Sequence, residues 1–330
     1  MGDVWASIVI VSFNSGSDLQ TCVNHLARQT FPDFEVVIVD NDSPGEEFKN
    51  LQLPDSRFRI IKSDRNLGFA GGSNFGAKQT TSPWIITLNP DAWPEPDWLM
   101  ALHNAAQIYQ DSAILSSTIV TTSDPNILES FGNGLSIFGF AFPCGNGTLL
   151  SDAPDGLWEV FAACGAAAAY NREMFFLMEG FDESFFCYLE DIDLAYRIRL
   201  AGGKCIHVSD AIVKHVGSSS SDMVAGFRHE NSARNNTGLI VKNTPLFALL
   251  IILPTYILAS IWLIFRTRKN HNNRARRKGF ISGLKLFPIY LKKRKNVFSH
   301  SKINLVDILK KMSWAPSSLR RTPLDIWEIK

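Results

Sequence analysis

Three acidic side chains stand where apolar runs of the chain end. Asp40 and Asp42 close "FEVVIVDND" (Phe34–Asp42), and Asp91 closes "WIITLNPD" (Trp84–Asp91). Each alone reads as turn chemistry, since Asn, Asp and Pro all favour chain reversal. Their shared position says more, because a parallel sheet gathers successive strand ends on one rim. Carboxylates on one rim suit a hard divalent cation, Mg2+ or Mn2+, which takes oxygen ligands and bridges substrate phosphates. Asn89-Pro90-Asp91 offers a carboxamide and a carboxylate from a single turn. His215 ends the run "AIVKH". Alone it reads as a structural histidine; beside such a rim it completes a metal site.

A second acidic group, Glu190-Asp191-Ile192-Asp193, opens a helix. Acids in a first turn are ordinary partners of the helix dipole. Helical spacing puts Asp191 on the inward side with Leu194, Ala195 and Ile198. Glu190, Asp193 and Arg197 fall on a more polar face, where Asp193 and Arg197 form an i,i+4 pair. An inward carboxylate near other acids has its pKa pushed towards neutrality, which makes Asp191 a general-base candidate.

The elements that must position these groups follow from the hydrophobic pattern. "SIVIVSFN" (Ser7–Asn14) and the run up to Asp42 are apolar without alternation, as in strands covered on both faces. Between them, Ser17 and Asp18 cap a helix with Leu19, Cys22, Val23 and Leu26 on one side. A third strand, "RFRIIKS" (Arg57–Ser63), leads into the glycine-rich "DRNLGFAGGSNFGAK" (Asp64–Lys78), and Trp84–Asp91 is a fourth. Strands alternating with helices predict a doubly wound, mostly parallel α/β sheet. The glycine-rich stretch lacks the P-loop pattern, and no Gly-x-Gly-x-x-Gly follows the first strand, so kinase-like and dinucleotide folds lose support. Its glycines can equally serve tight helix–sheet packing. Asp124–Asp155 reads as irregular strands and loops, and the helix from Asp191 closes at Gly202-Gly203.

The 330 residues are 45% hydrophobic and 20% charged, which excludes wholesale disorder. The net charge of +1 hides an asymmetry: residues 1–265 carry 15 basic against 29 acidic side chains, and residues 266–302 carry 13 basic and none acidic. Five scattered cysteines without a Cys-x-x-Cys exclude a disulfide framework or a thiolate zinc site, and Asp3 stands where a secretory leader would be basic. The expectation is a reducing cytoplasm.

The ordered set "SIVIVSFNS", "VVIVDNDSPG", "NLGFAGGSNFG", "LNPDAWPEPDWL", "GFDESFFCYLEDIDLAYRIRLAGG" and "KHVGSS" resembles the family-2 glycosyltransferases of GT-A fold. Within them it is most similar to the rhamnosyltransferase-like branch of bacterial cell-surface polysaccharide synthesis. The motifs span about residues 5–220, and "RHENSARNN" (Arg228–Asn236) also resembles that branch. The resemblance implies that Ser12, Phe13, Asn14, Asp40 and Asp42 hold the nucleotide's base and ribose, and that Asn66, Gly68 and Asn74 form the donor-side turn and helix. Asn89-Pro90-Asp91 stands where many relatives have Asp-x-Asp. Asp91 matches the metal ligand, His215 a second one, and Asp191 the catalytic base. Glu190, Phe185 and Tyr188 then lie on the acceptor side. The implied reaction is inverting transfer of a sugar from a nucleotide donor to a lipid-linked saccharide, with L-rhamnose from dTDP-L-rhamnose the first donor and a UDP-hexose the alternative. A non-catalytic nucleotide-sugar binder is the rival class, against which the joint presence of Asp91, Asp191 and His215 argues.

After Asn243 the character changes, which predicts a catalytic domain over 1–243 and a hydrophobic and basic helical region over 244–330. Pro245–Phe265 holds 21 residues without charge, enough to span a bilayer, but Pro254 splits it. A single span would put the basic stretch and the body on opposite sides, whereas both belong in the cytoplasm. An in-plane or re-entrant segment on the cytoplasmic face of the inner or plasma membrane follows, held by anionic lipid. The apolar neighbours of the basic stretch favour lipid over nucleic acid.

Overall fold

The computed structural model of the protein describes residues 4–45, 47–217, 225–266, 271–314 and 326–329. The end of "KHVGSS" (Ser218 and Ser219) and residues 267–270 of the basic stretch lie outside them.

The first apolar runs form β1 (Ala6–Ser12) and β2 (Phe34–Asp40), joined by α1 (Ser17–Ala27). Then come β3 (Phe58–Lys62), α2 (Gly68–Ala77), β4 (Trp84–Leu88), β5 (Ala92–Pro94) and α3 (Trp98–Ile108). The strands β3, β2, β1 and β4 lie side by side and parallel. Register puts Ser12 beside Asp40, and Asp40 beside Lys62, on one rim. Along β1, Ile8 and Ile10 pack into one hydrophobic cluster with α1 and α3, while Val9 faces the other, with α2 and the later helices. A period-two strand covered on both faces does this.

The second half of the sheet is mixed. β6 (Ser112–Thr121), β7 (Leu128–Ser130), β8 (Asn133–Leu135), β9 (Ala141–Pro143), β10 (Leu157–Val160), β11 (Ala167–Asn171), α4 (Arg172–Leu177), α5 (Glu190–Leu200) and β12 (Lys204–His215) follow in order. β11 is antiparallel to both β4 and β6, whereas β12 runs parallel to β6. Three short pairings meet where β12 ends. His215 pairs with Thr121 of β6 and with Ala92 of β5, and β7 returns antiparallel along β6.

The glycines of α2 serve close packing. A Cβ at Gly72 would sit 2.6 Å from Val11 Cγ1, and one at Gly76 would overlap Val9, so the helix lies hard against β1. Gly68 begins the helix at φ +69, with Phe186 against it where a side chain would stand.

The chain ends in α6 (Phe227–Asn243), α7 (Leu246–Arg266), α8 (His271–Lys285), α9 (Phe287–Ser299), α10 (Leu305–Lys310) and the short β13 (Ile326–Trp327). One hydrophobic cluster runs from Val9 and Val39 through Leu194 to Tyr256, Tyr290, Ile308 and Met312. β13 adds an edge strand to the sheet through β10, and Lys311 joins the buried Arg199–Glu159 pair. The elements after Asn243 therefore share a core with the body. α7 passes through Pro254 as one helix with two unlike faces. Ala248, Leu249, Ile252 and Tyr256 are buried against the body, whereas Phe247, Leu250, Ile251, Leu258, Ile261 and Trp262 are exposed. By length and composition Leu246–Ile264 is sufficient to cross a membrane.

Candidate active site

At the rim, two loops are stitched together around the ends of β1 and β2. Asp40 Oδ1 accepts from Ser43 N at 2.9 Å, Ser43 Oγ accepts from Asn14 N at 3.1 Å, and Ser12 Oγ donates to Ser15 Oγ at 2.8 Å. Asn14 and Asp42 both adopt left-handed backbone, at φ 54 and 64. Phe13 reaches a large cleft above the rim, as do Asn66 and Gly68; the cleft wall does not include Ser12, Asn14, Asp40 or Asp42. Asn41 Nδ2 donates to Asn66 Oδ1 at 3.1 Å and Gly68 O at 3.2 Å, while its Oδ1 accepts from Leu67 N at 2.9 Å. This asparagine, missed between the two aspartates, holds the glycine-rich turn. Asn74 is buried instead, bonded to the backbone of Phe181 and to Glu183, and ties α2 to the loop before α5.

Strand pairing explains the corner where Asn89, Asp91 and His215 meet. Because Ala92 is in register with His215, the preceding Asp91 comes within 3.4 Å of His215 Nε2. Asn89 Nδ2 lies 3.4 Å from the same nitrogen. Glu129, on β7, takes the other ring nitrogen, with both carboxylate oxygens within 3.0 Å of Nδ1. Burial alone would lower the imidazole's pKa, but its hydrogen bonds to Asp91 and Glu129 raise it to about 10, so a cation bound at Nε2 would have to displace a proton. A carboxylate on Nδ1 that aims Nε2 at a second carboxylate is the usual support of a metal-binding histidine. Carboxylate, carboxamide and imidazole donors suit Mg2+ or Mn2+, so these residues fit a divalent cation. Among the described residues, no group of three or more His, Cys, Asp or Glu side chains is arranged as a metal cage. Substrate phosphates and water would have to supply the remaining ligands, as is common for Mg2+.

Asp191 sits at the first turn of α5, half-buried on the cleft wall. Its Oδ2 accepts from Gly165 N at 2.8 Å and from Asn133 Nδ2 at 3.4 Å, and its Oδ1 accepts from Ile192 N at 2.8 Å. Gly165 lies in the small-residue run before β11, where a Cβ would stand 3.3 Å from that of Asp191. The loop leading into α5 is strained: Phe186, Tyr188 and Leu189 have φ of 63, 72 and 67 without being glycine. Asn235 of α6, fully buried, holds it by donating to the carbonyls of Phe185, Cys187 and Tyr188 at 2.7 to 2.9 Å. Arg234 adds a bond to Phe185 O at 2.7 Å. Asn235→Ala should therefore misplace Asp191. We expect turnover to fall by about 10- to 100-fold, more than donor KM rises, because small displacements of a reacting group are costly. Steady-state kinetics read the split; an unaltered kcat would assign Asn235 to stability alone.

Glu190 is buried, lines the cleft, and its Oε2 has no hydrogen-bond partner among the described residues. Burial, then the charge of Asp191, pushes its pKa well above the usual 4.5. Asp191 is raised as well, chiefly by burial, against the lowering effect of the Gly165 and Ile192 N–H groups. Glu190, without those two donors, is pushed further up than Asp191, whose carboxylate the two N–H groups favour. An acid with a raised folded pKa binds more protons folded than unfolded, so its contribution to stability falls as pH climbs above the unfolded value. Glu190→Gln should match the wild type in acid and be the more stable of the two at neutral pH. Thermal melts at both pH values check this; a neutral-pH loss of stability would show that the carboxylate charge is wanted.

The expected polar face of α5 is not a surface. Glu190, Asp193, Arg197 and Arg199 are all buried; α6 packs on Asp193, the loop after α4 takes Arg197, and β10 takes Arg199. Asp193 pairs with Arg197 at 2.8 Å and with the buried Lys242 at 2.7 Å, and Lys242 also pairs with Asp182 at 2.6 Å. A charged stripe stays inside when a neighbouring helix supplies its counter-ions. Phe185 is likewise internal, beneath Lys242 and Tyr290, whereas Tyr188 and Phe186 line the cleft.

The cleft has a volume of about 930 Å³. It joins the rim at Phe13, Asn41 and Asn66, the Asn89–Asp91–His215 corner and the Glu190–Asp191 pair. Phe140–Pro143 from the irregular segment also lines it, and one arm extends to α6, α7 and α8.

Known proteins are similar to this chain in sequence or in architecture. Over 235 residues the chain is 24% identical to N-acetylglucosaminyl-diphospho-decaprenol L-rhamnosyltransferase of Mycobacterium tuberculosis, covering 63% of this chain and 75% of that one. It is 28% identical over 92 residues to the glucosyltransferase WfgD of Escherichia coli, which covers 28% and 36% of the two chains. Against glycosyltransferase GlyG of Streptococcus pneumoniae it is 26% identical, covering 31% and 35%. The chain thus spans about a third of the length of these last two relatives. Among solved structures, residues 1–349 of S. aureus TarS superpose with a TM-score of 0.52 at 15% identity, covering 94% of this chain and 93% of that one. GalNAc-T7, solved with UDP, GalNAc and Mn2+, superposes at 0.55 with 19% identity over 64% and 43%. These likenesses give the GT-A architecture. The pattern of the family "Glycosyl transferase family 2" matches residues 7–175, half of the sequence, and the chain belongs to that family.

Proposed function

We propose that the protein is an inverting glycosyltransferase that moves a sugar from a nucleotide donor to a hydroxyl of a lipid-linked saccharide in cell-envelope polysaccharide synthesis. The observation that carries this is one cleft that holds both the Asn89–Asp91–His215 corner and the Asp191 carboxyl, steadied by peptide N–H donors. Asp191 accepts the proton of the acceptor hydroxyl as that oxygen attacks the anomeric carbon. Burial and the charge of Asp191 raise the pKa of Glu190, which disfavours a second negative charge beside the base. Bond making and bond breaking on opposite faces invert the centre, with no protein nucleophile required. Asp91 and His215, with Asn89 beside them, would hold the divalent cation, which supplies charge neutralisation for the leaving nucleoside diphosphate.

L-Rhamnose from dTDP-L-rhamnose is the donor this reading favours, supported by the long match to an L-rhamnosyltransferase. A UDP-hexose is the second reading, favoured by the match to a protein named as a UDP-Glc glucosyltransferase. Both names carry diphospholipid acceptors. Mass spectrometry of a GlcNAc-diphospholipid acceptor incubated with a panel of nucleotide sugars tests this. A single deoxyhexose increment from dTDP-rhamnose is expected, and a hexose increment from a UDP-sugar supports the alternative. No increment from any donor rejects the function.

Membrane association at the cytoplasmic face belongs to the same reading. The outer face of α7 is apolar, and α8 and α9 expose Arg274, Arg277, Lys278, Lys285, Lys292 and Lys295. A helix lying in the interface with basic neighbours suits an anionic bilayer, each Lys or Arg adding about 1 kcal/mol near the surface. Replacing Leu250, Ile251 and Leu258 together by Gln should release the protein from anionic vesicles without lowering its melting temperature. Vesicle binding that persists would place the lipid contact elsewhere.

A further inference from the structure

The cleft has two chemically different ends. One carries Asp91, Glu129 and His215; the other is the arm that reaches the C-terminal helices. That arm is lined by Arg228 of α6, Arg276 of α8, and Tyr256, Ser260, Leu263 and Ile264 of α7. Phe227 connects it to the base, its ring 6.2 Å from Tyr188 and 6.4 Å from Phe186. The arginines flank one helix crossing: Gly279 of α8 lies so tightly on the Glu230 carbonyl of α6 that no side chain fits there. Neither Arg228 nor Arg276 has an ion pair or hydrogen bond with another described residue, unlike neighbouring Lys278, which pairs with Glu230 at 2.9 Å. The arm then runs to Leu263 and Ile264, next to the exposed apolar residues Ile261 and Trp262.

Two guanidinium groups with no ion pair among the described residues, set between a base and an apolar face, match a molecule with a sugar, a dianionic linker and a hydrocarbon tail in that order. Guanidinium forks bind phosphate oxygens in pairs, and an aliphatic chain is best kept dry along a helix already facing lipid. We propose that Arg228 and Arg276 bind the diphosphate of a polyisoprenyl-diphosphate-linked acceptor, whose lipid leaves the cleft along α7. This rests on the reading of the protein as a transferase with a lipid-linked acceptor, and adds the place where that acceptor is recognised.

The test uses the full chain in detergent micelles and two acceptors with one saccharide and one alkyl chain, joined either through a diphosphate or directly as a glycoside. Binding of each without donor is measured by calorimetry, and acceptor and donor KM by steady-state transfer. The wild type should prefer the diphosphate compound. Arg228→Gln with Arg276→Gln should shrink that preference about 10- to 100-fold, the worth of charge-assisted hydrogen bonds, in binding and KM alike. Lys278→Gln should leave it intact. An unchanged preference in the double variant overturns the proposal. A rise in donor KM instead assigns the arginines to the donor diphosphate and overturns it as well. Loss of binding to phosphatidylglycerol vesicles with the preference retained means that they meet bulk lipid, a third contradiction. Should no donor be transferred, the calorimetric preference still decides the subsite, so its failure and that of the function are read separately.

Discussion

Asp191→Asn should lower turnover by about 10²- to 10⁴-fold, the usual contribution of a general base, while nucleotide-sugar binding stays close to wild type. The substitution keeps shape and volume. It retains one oxygen to accept from Gly165 N, gives up the acceptor of Ile192 N, and removes the ability to take a proton. The loop from Phe186 to Leu189 is held from α6 and by Ala70 N on Phe186 O, independently of the carboxylate, so the variant should fold. Glu190→Gln serves as the control with the milder effect, because burial already disfavours a charge on Glu190. Loss of donor binding with full turnover at saturation would make Asp191 a donor ligand.

Exhaustive chelation should abolish transfer, and Mg2+ or Mn2+ should restore it. The expectation comes from the corner at the end of β12, where Asp91 and Asn89 both lie 3.4 Å from His215 Nε2 while Glu129 fixes Nδ1. Those distances leave donors facing one another across a gap. Glu129→Gln should loosen the histidine and raise the metal concentration needed for half-activity by about 10- to 100-fold, as loss of such supporting carboxylates does elsewhere. Mn2+ binding followed by electron paramagnetic resonance, with and without nucleoside diphosphate, gives a readout besides activity. Full activity after prolonged EDTA treatment would refute the assignment.

The parallel half of the fold was legible because it is written locally. β1, β2 and β4 are continuous apolar runs that stop at polar residues, and the stops are the rim. Asp91 and His215 stood out for the same reason, each at a strand end. Glu129 carried no such signal: it lies on the three-residue β7, in a segment without periodicity, and matters only because β7 folds back beside β12. Asn235 reads as one more polar residue of α6 until the strained loop it holds is seen. The polar stripe of α5 misled, since a helical wheel cannot know that Lys242, about fifty residues on, will neutralise Asp193 inside the core. The change of composition at Asn243 marks where the lipid-like face begins, but Tyr290, Ile308 and Met312 carry the core beyond it.

The most direct test of the central claim is the configuration of the transferred sugar, read from the anomeric NMR signals of donor and product. A single displacement assisted by Asp191 predicts inversion at that carbon, with product formation falling in Asp191→Asn in the same assay. Retention of configuration, which needs a nucleophile the cleft does not have to provide in this account, would contradict it.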